Sequence, residues 1–275
     1  MGSIDRHAAA FRAVRTLLAA HGVPGDRLET WKDGSNLLVR PVPAPVILRV
    51  ATFTGRVRRD PMPYLEREVA LVTWLASRGA PVMAPPDVMP PGPFLVDGWG
   101  IAAFRFTDHR PGTIASPAAT LAALDELRGV LRTYPGKLPA YGPAAADLDL
   151  ALAFALEADI LAAGTVDEMR GRRDMLLARL RELDPTLEPQ HGDAFPRNTV
   201  TSLAGTVTWI DLEDACRASP SWDLAVLVRH TGDRRVREAA EARVGREMLD
   251  TAIALRGVQG EAWNALHDAR VARGW

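Results

Sequence analysis

Apolar positions recur at helical spacing over residues 5–21, where Ala8, Phe11, Val14, Leu17 and Leu18 form one stripe and Gly22 ends the pattern. The pattern then changes. Residues 27–31, 36–40 and 46–51 are short β-rich runs, separated by Asp33-Gly34-Ser35 and by the Pro-rich residues 41–45. That combination predicts a strand meander with tight turns. Residues 62–78 return to a helical period, with Leu65, Val69, Val72 and Leu75 on one face and Gly79 closing the run. A Pro-rich stretch over 80–94 leads into a strand pair near 94–96 and 99–106. From about residue 116 helical patterning dominates, over 116–133, 147–163, 166–183, 219–230, 234–255 and 260–272, with one β-rich interruption at 187–213. Strands followed by helices predict an α+β fold of two lobes, 1–106 and 107–275, with a hinge in 104–113.

Composition narrows the class. A chain of 275 residues that is 47% hydrophobic can bury a sizeable core. No apolar run approaches the roughly 20 residues of a membrane helix, and the N-terminus lacks the apolar stretch of a signal peptide, so a soluble, cytoplasmic protein without a membrane partner is expected. The lone Cys216 excludes an internal disulfide and argues against a cysteine-based zinc site. A net charge of −1 argues against nucleic acid as the main partner. The charge is uneven: the first 106 residues carry four more basic than acidic side chains, the remainder five more acidic than basic. The basic residues are almost all arginine, Lys32 and Lys137 being the only lysines.

The candidate chemistry lies in the β-rich interruption. It reads Gln190-His191-Gly192-Asp193-Ala194-Phe195-Pro196-Arg197-Asn198, then a strand, then Trp209-Ile210-Asp211-Leu212-Glu213-Asp214. Asp193 and Asn198 stand five residues apart across a Pro-containing loop, and Asp211 follows at the end of the next hairpin. A hairpin returns its end beside its start, so two carboxylates and a carboxamide can converge. They offer hard oxygen ligands for Mg²⁺ and one carboxylate to serve as a base.

The run His191-Gly192-Asp193 to Asn198, then Ile210-Asp211 and Glu213, then Trp222-Asp223-Leu224-Ala225, resembles the aminoglycoside phosphotransferase and choline kinase-like family of small-molecule kinases. The resemblance extends over nearly the whole chain. It implies a two-lobed protein-kinase-like fold and an enzyme that moves the γ-phosphoryl group of ATP (or GTP), with Mg²⁺, to a hydroxyl of a small molecule. Asp193 would be the catalytic base, and Asn198 and Asp211 would hold the metal on the nucleotide phosphates. His191 would pack under the loop. Asp223 reads either as a helix N-cap or as a brace of the catalytic loop, and Glu213 as a second metal contact or a surface carboxylate. Cys216 lies in no nucleophile motif, and only a short segment separates Asp211 from Trp222, too little to dock a polypeptide acceptor.

The same resemblance assigns the front of the chain to the nucleotide. Gly34, Ser35 and Asn36 occupy the first hairpin, which covers phosphates in this fold. The third strand carries Arg49 where kinase-like enzymes carry a lysine, and Glu68 on the next helix is its expected partner, in preference to Glu66. Phe104 and Phe106 mark the neighbourhood of the base. Arginine keeps the charge but not the shape of lysine, which leaves an alternative: a nucleotide-binding pseudokinase with a regulatory role. On the acceptor side Asp147, Asp149, Glu157, Asp159, Asp167 and Glu168 fall in a stretch without Lys or Arg. They are either a solvated helix face or a lining suited to a cationic antibiotic such as an aminoglycoside.

Overall fold

The computed structural model describes residues 3–109 and 112–275; of the expected hinge, Arg110 and Pro111 lie outside the described residues. The chain opens with α1 (Ser3–Ala20), then β1 (Arg27–Asp33), β2 (Leu37–Val42) and β3 (Val46–Val50). A short helix α2 (Phe53–Arg58) and α3 (Met62–Ser77) precede β4 (Phe94–Val96) and β5 (Trp99–Arg105). The five strands form one antiparallel sheet in the order β1-β2-β3-β5-β4, with Leu37 opposite Val50 and Val46 opposite Arg105.

The helical part holds α4 (Pro117–Leu131), α5 (Ala146–Glu157), α6 (Ala163–Leu183), α7 (Trp222–Thr231), α8 (Arg234–Val244) and α9 (Arg246–Arg273). Two small strand pairs interrupt it: β6 (Glu188–Gln190) with β9 (Cys216–Ala218), and β7 (Thr199–Thr201) with β8 (Val207–Trp209). This is the two-lobed α+β arrangement. No helix of the described residues is long and apolar enough to cross a membrane.

The α3 face follows its pattern: Leu65, Val69, Val72 and Leu75 are all buried. They belong to one apolar cluster that runs from Ile47 and Phe104 of the sheet to Trp209, Leu212 and Trp222 of the helical part. Residues 82–84 strap the two together, since Met83 N–H donates to the Trp209 carbonyl at 2.9 Å and Arg105 N–H to the Ala84 carbonyl at 2.8 Å.

Three expectations need correction. The α1 stripe is rotated: Ala8 is exposed, while Ala10 and Ala13 join Val14, Leu17 and Leu18 in the core. The last two helices divide at Gly245, whose φ of +80° stops α8, and not near 256–259; α9 runs unbroken through Gly257 and Gly260. Helix α2 was not anticipated. Its first N–H groups, of Phe53 and Thr54, both donate to the Ser35 carbonyl at 3.0 Å. A carbonyl supplied from 18 residues before its first residue nucleates it, which no local pattern announces.

Candidate active site

The β6–α7 segment is held by buried polar contacts. Gly192 has a φ of +92°, and a Cβ there would sit 1.9 Å from the Asp214 carbonyl oxygen, so only glycine fits. Asp223, fully buried, accepts from the N–H groups of His191 at 2.7 Å and Gly192 at 3.0 Å. The Trp222 indole N–H donates to the Gly192 carbonyl at 2.8 Å. His191 lies under the loop, its Nε2 3.1 Å from the Ile210 carbonyl and its Nδ1 3.3 Å from the Asp193 N–H. That pattern fits the tautomer protonated on Nε2. Asp223 therefore braces the loop and caps no helix.

This scaffold presents Asp193. Asn198 Nδ2 donates to Asp193 Oδ2 at 2.8 Å and to its carbonyl at 3.1 Å. Asp193 Oδ1 receives the guanidinium of Arg256, from α9. Asp211, at the end of the β7–β8 hairpin, adopts φ +67°, ψ +54°, a left-handed conformation that Asp tolerates better than most side chains. Asp193, Asn198 and Asp211 all line one cavity of about 290 Å³ between the sheet and the helical part. Leu38, Ile47, Val72 and Phe104 form its apolar walls.

Arg49 stands on the polar wall of this cavity with its side chain only 4% exposed. Its Nη1 contacts the two Glu68 oxygens at 2.8 and 2.6 Å and Asp211 Oδ1 at 3.0 Å, and its Nη2 meets Glu213. Glu68 also accepts from Leu212 N–H at 3.0 Å, so α3 is pinned to the loop that carries Asp211. A second buried arginine, Arg58 of α2, contacts Glu213 at 2.9 Å and Asp214 at 2.6 Å. Burial opposes the charge on Arg49, but Asp211, Glu213 and Glu68 outweigh it and leave the guanidinium more strongly basic than usual. Burial likewise raises Asp214, yet Arg58, Arg256 and Arg67 outweigh that and lower its pKa overall. Glu213 is neither a surface carboxylate nor a cavity ligand alone: it is buried and shared by two arginines.

The first hairpin sits differently from its expected role. Gly34, Ser35 and Asn36 do line the cavity. The Gly34 N–H, however, donates to the Asn36 carbonyl at 3.1 Å, and Gly34 is not in the left-handed region. Asn36 is buried, donating to Glu213 at 3.2 Å and accepting from Thr54. Ser35 Oγ lies 3.0 Å from His267 Nε2 on α9. Phe104 reaches the cavity, but Phe106 does not: past the end of β5 it packs against Trp31 and under the Arg40 guanidinium.

The donor set suits a small hard cation. Asp211 Oδ1 is buried with no hydrogen-bond donor of good geometry, only the Arg49 charge beside it, and Asn198 lines the same cavity. Mg²⁺ takes one or two such protein oxygens and completes its shell with phosphates and water. The six acids of 147–168 do not line either cavity of the site. Asp147 accepts from Tyr64, Asp149 pairs with Arg173, and Glu157 with Arg59.

Sequence reasoning missed Arg58, Asp214, Arg229, Arg256 and His267. Residues 33–256 match the model of the phosphotransferase enzyme family. Among curated protein sequences there is no match. Solved structures share the fold. Choline kinase LicA from Streptococcus pneumoniae is 17% identical, with a TM-score of 0.61 over 94% of this chain and 91% of that one. Aminoglycoside phosphotransferase APH(3'')-Id from Streptomyces rimosus is 21% identical, with a TM-score of 0.57 over 90% of this chain and 98% of that one.

Proposed function

Because the chain belongs to the phosphotransferase enzyme family and is a small-molecule kinase, we propose that it transfers the γ-phosphoryl group of ATP, with Mg²⁺, to a hydroxyl of a small acceptor. The observation that carries this reading is the convergence of Asp193, Asn198 and Asp211 on one cavity whose opposite walls are apolar. An apolar slot ending in charged groups suits a flat base with a polyphosphate tail. The solved structures that share the fold include one with ADP and streptomycin and one of LicA with AMP, which supports a nucleotide donor here.

In this reading Asp193 accepts the acceptor's hydroxyl proton, and Asn198 fixes the carboxylate by holding its Oδ2 at 2.8 Å. Asp211 and Asn198 would hold Mg²⁺, which when bound neutralises charge on the donor phosphates. Arg49 holds Asp211 in place and keeps α3 against its loop through Glu68. Phe104, Gly34, Ser35 and Asn36 lie on the nucleotide side. The names of the solved structures suggest cationic acceptors such as aminoglycosides or choline, but no acid beyond the arginine-paired ones lines the cavities in a way that favours them.

The test is mass spectrometry of a mixed panel of sugars, amino alcohols, hydroxy acids and antibiotics incubated with the protein, ATP and Mg²⁺. A compound that gains one phosphoryl group with the parent, and at least about a hundredfold more slowly with Asp193→Asn, supports the reading. Parental turnover in Asp193→Asn refutes the base. An inert parent that still binds ATP would return the pseudokinase alternative.

A further inference from the structure

A second cavity, also of about 290 Å³, shares Asp193 and Asp211 with the first but is walled by α7 and α9 rather than by the sheet. Under the phosphotransfer reading, on which this inference rests, it is where the acceptor hydroxyl meets Asp193. Its charges therefore report the acceptor's charge.

Four carboxylates reach it, and each has an arginine beside it, Arg58 serving two of them. Asp193 is held by Arg256, Asp211 by Arg49 at 3.0 Å, Glu213 by Arg58 at 2.9 Å and Asp214 by Arg58 at 2.6 Å. The α7 and α9 wall adds no further acid. It adds Arg229, whose guanidinium has neither a carboxylate partner nor a hydrogen bond among the described residues.

That guanidinium lies against α9. Gly257 and Gly260 lie inside α9, where glycine is a poor helix former. Neither has a positive φ, so the backbone does not require glycine. A Cβ at 257 would lie 3.5 Å from Arg229 Nη1, and one at 260 would lie 3.9 Å from Nη2. Arg229 thus lies along α9 beside the two glycines, at ordinary contact distance from where a side chain there would begin. Beside it Arg256 donates to Asp193 and Gln259, and an arginine has five N–H groups to share.

We infer that the acceptor is a small hydroxylated anion, its carboxylate or phosphate held by Arg229 and Arg256 while its hydroxyl faces Asp193. A polycation placed there would set its charge against Arg229, whereas an oxyanion gains charge-assisted hydrogen bonds. The reaction balances: the acceptor oxygen bonds to the γ-phosphorus, the bond from that phosphorus to the bridging oxygen breaks, the hydroxyl proton passes to Asp193, and ADP leaves.

Matched skeletons test this: glycerol, glycerate, glycerol phosphate and serinol, then glucose, gluconate, glucose 6-phosphate and glucosamine. Each is scored for phosphoryl gain with ATP and Mg²⁺, and for calorimetric binding to the full-length protein with ADP and Mg²⁺. The expected result is binding and transfer for anionic members, the carboxylate and phosphate arms separating the two sources. Arg229→Gln should raise their Kd at least tenfold, and Arg229→Lys should recover part of it. Arg229-dependent anion binding without transfer keeps the anion site and refutes the phosphotransfer reading. Transfer to neutral or cationic members at equal or higher kcat/KM overturns the inference and leaves phosphotransfer standing. No anion binding at millimolar concentration, or binding that Arg229→Gln leaves unchanged, also overturns it.

Discussion

Replacing Arg49 by lysine would restore the residue that kinase-like enzymes carry on this strand, and the geometry says it should do harm. The guanidinium reaches three carboxylates with two nitrogens: Glu68 at 2.8 and 2.6 Å and Asp211 at 3.0 Å from Nη1, and Glu213 from Nη2. A lysine offers one nitrogen on a shorter reach. It can keep Glu68 and stay near Asp211, but it gives up Glu213. Glu213 retains Arg58 at 2.9 Å, so its charge is not left wholly unmatched. A hydrogen bond to a buried charged group contributes about 1.5–3 kcal/mol, so Arg49→Lys should destabilise by about 2 kcal/mol. For a chain of this size that is a fall in Tm of roughly 4–8 °C. Arg49→Met, which leaves Glu68 and Glu213 facing each other, should lose about 3–5 kcal/mol. Urea unfolding followed by far-UV circular dichroism measures both. Phosphoryl transfer should drop in Arg49→Lys, because a single ammonium shared with Glu68 holds Asp211 less firmly than the guanidinium does. A lysine variant within about 0.5 kcal/mol of the parent would refute the fork argument, and one that gains activity would refute the assignment of Arg49 as the working residue.

Gly192→Ala forces a Cβ onto the Asp214 carbonyl at φ +92° and should destabilise by more than about 3 kcal/mol; a loss below about 1 kcal/mol in the same unfolding assay would contradict the geometry. Asp223→Ala leaves the buried N–H groups of His191 and Gly192 without acceptors and should destabilise by about 3–5 kcal/mol, with a hydrogen-exchange increase at those two amides. Burial, together with Arg270, lowers the His267 pKa, and burial and Arg256 lower that of His230. The unfolded state therefore binds more protons once the pH drops below about 6.5, so stability should decline as the pH falls through that value. A His267→Asn variant should show a shallower decline in Tm between pH 8 and 5.5, and an unchanged slope would remove His267 as its source.

The residues that the structure gathers on the cavity, Asp193, Asn198 and Asp211, were legible because they are close in sequence. The loop from Asp193 to Asn198 and the hairpin ending at Asp211 form a local unit, and a hairpin brings its ends together whatever surrounds it. Glu68 was legible because it falls beside the apolar row of α3. The first hairpin was legible as a turn but not in detail: Asn36 turns inward to Glu213 and Thr54, contacts that reach from distant parts of the chain. The same holds for Arg256 on Asp193, 63 residues away, and for Arg58 on Asp214. Phe106 was misplaced because strand alternation stops applying once β5 ends at Arg105. The helix break was misplaced because α9 runs on through Gly257 and Gly260, while the chain turns at Gly245, whose φ is +80°.

The sharing of arginines among carboxylates also bears on how this sequence can drift. Arg49 serves Glu68, Asp211 and Glu213, while Arg58 serves Glu213 and Asp214. Changing one member costs a buried neighbour part of its charge partnership, so paired steps through this cluster should be tolerated better than single ones. The residues at 49 and 213 should therefore be inherited as a pair. Relatives with lysine at the position of Arg49 should carry a smaller or uncharged residue at that of Glu213, and those with arginine should keep the glutamate. Two ancestral lines would then be separated by a valley that only compensated substitutions cross, and the arginine here would mark descent along one side of it.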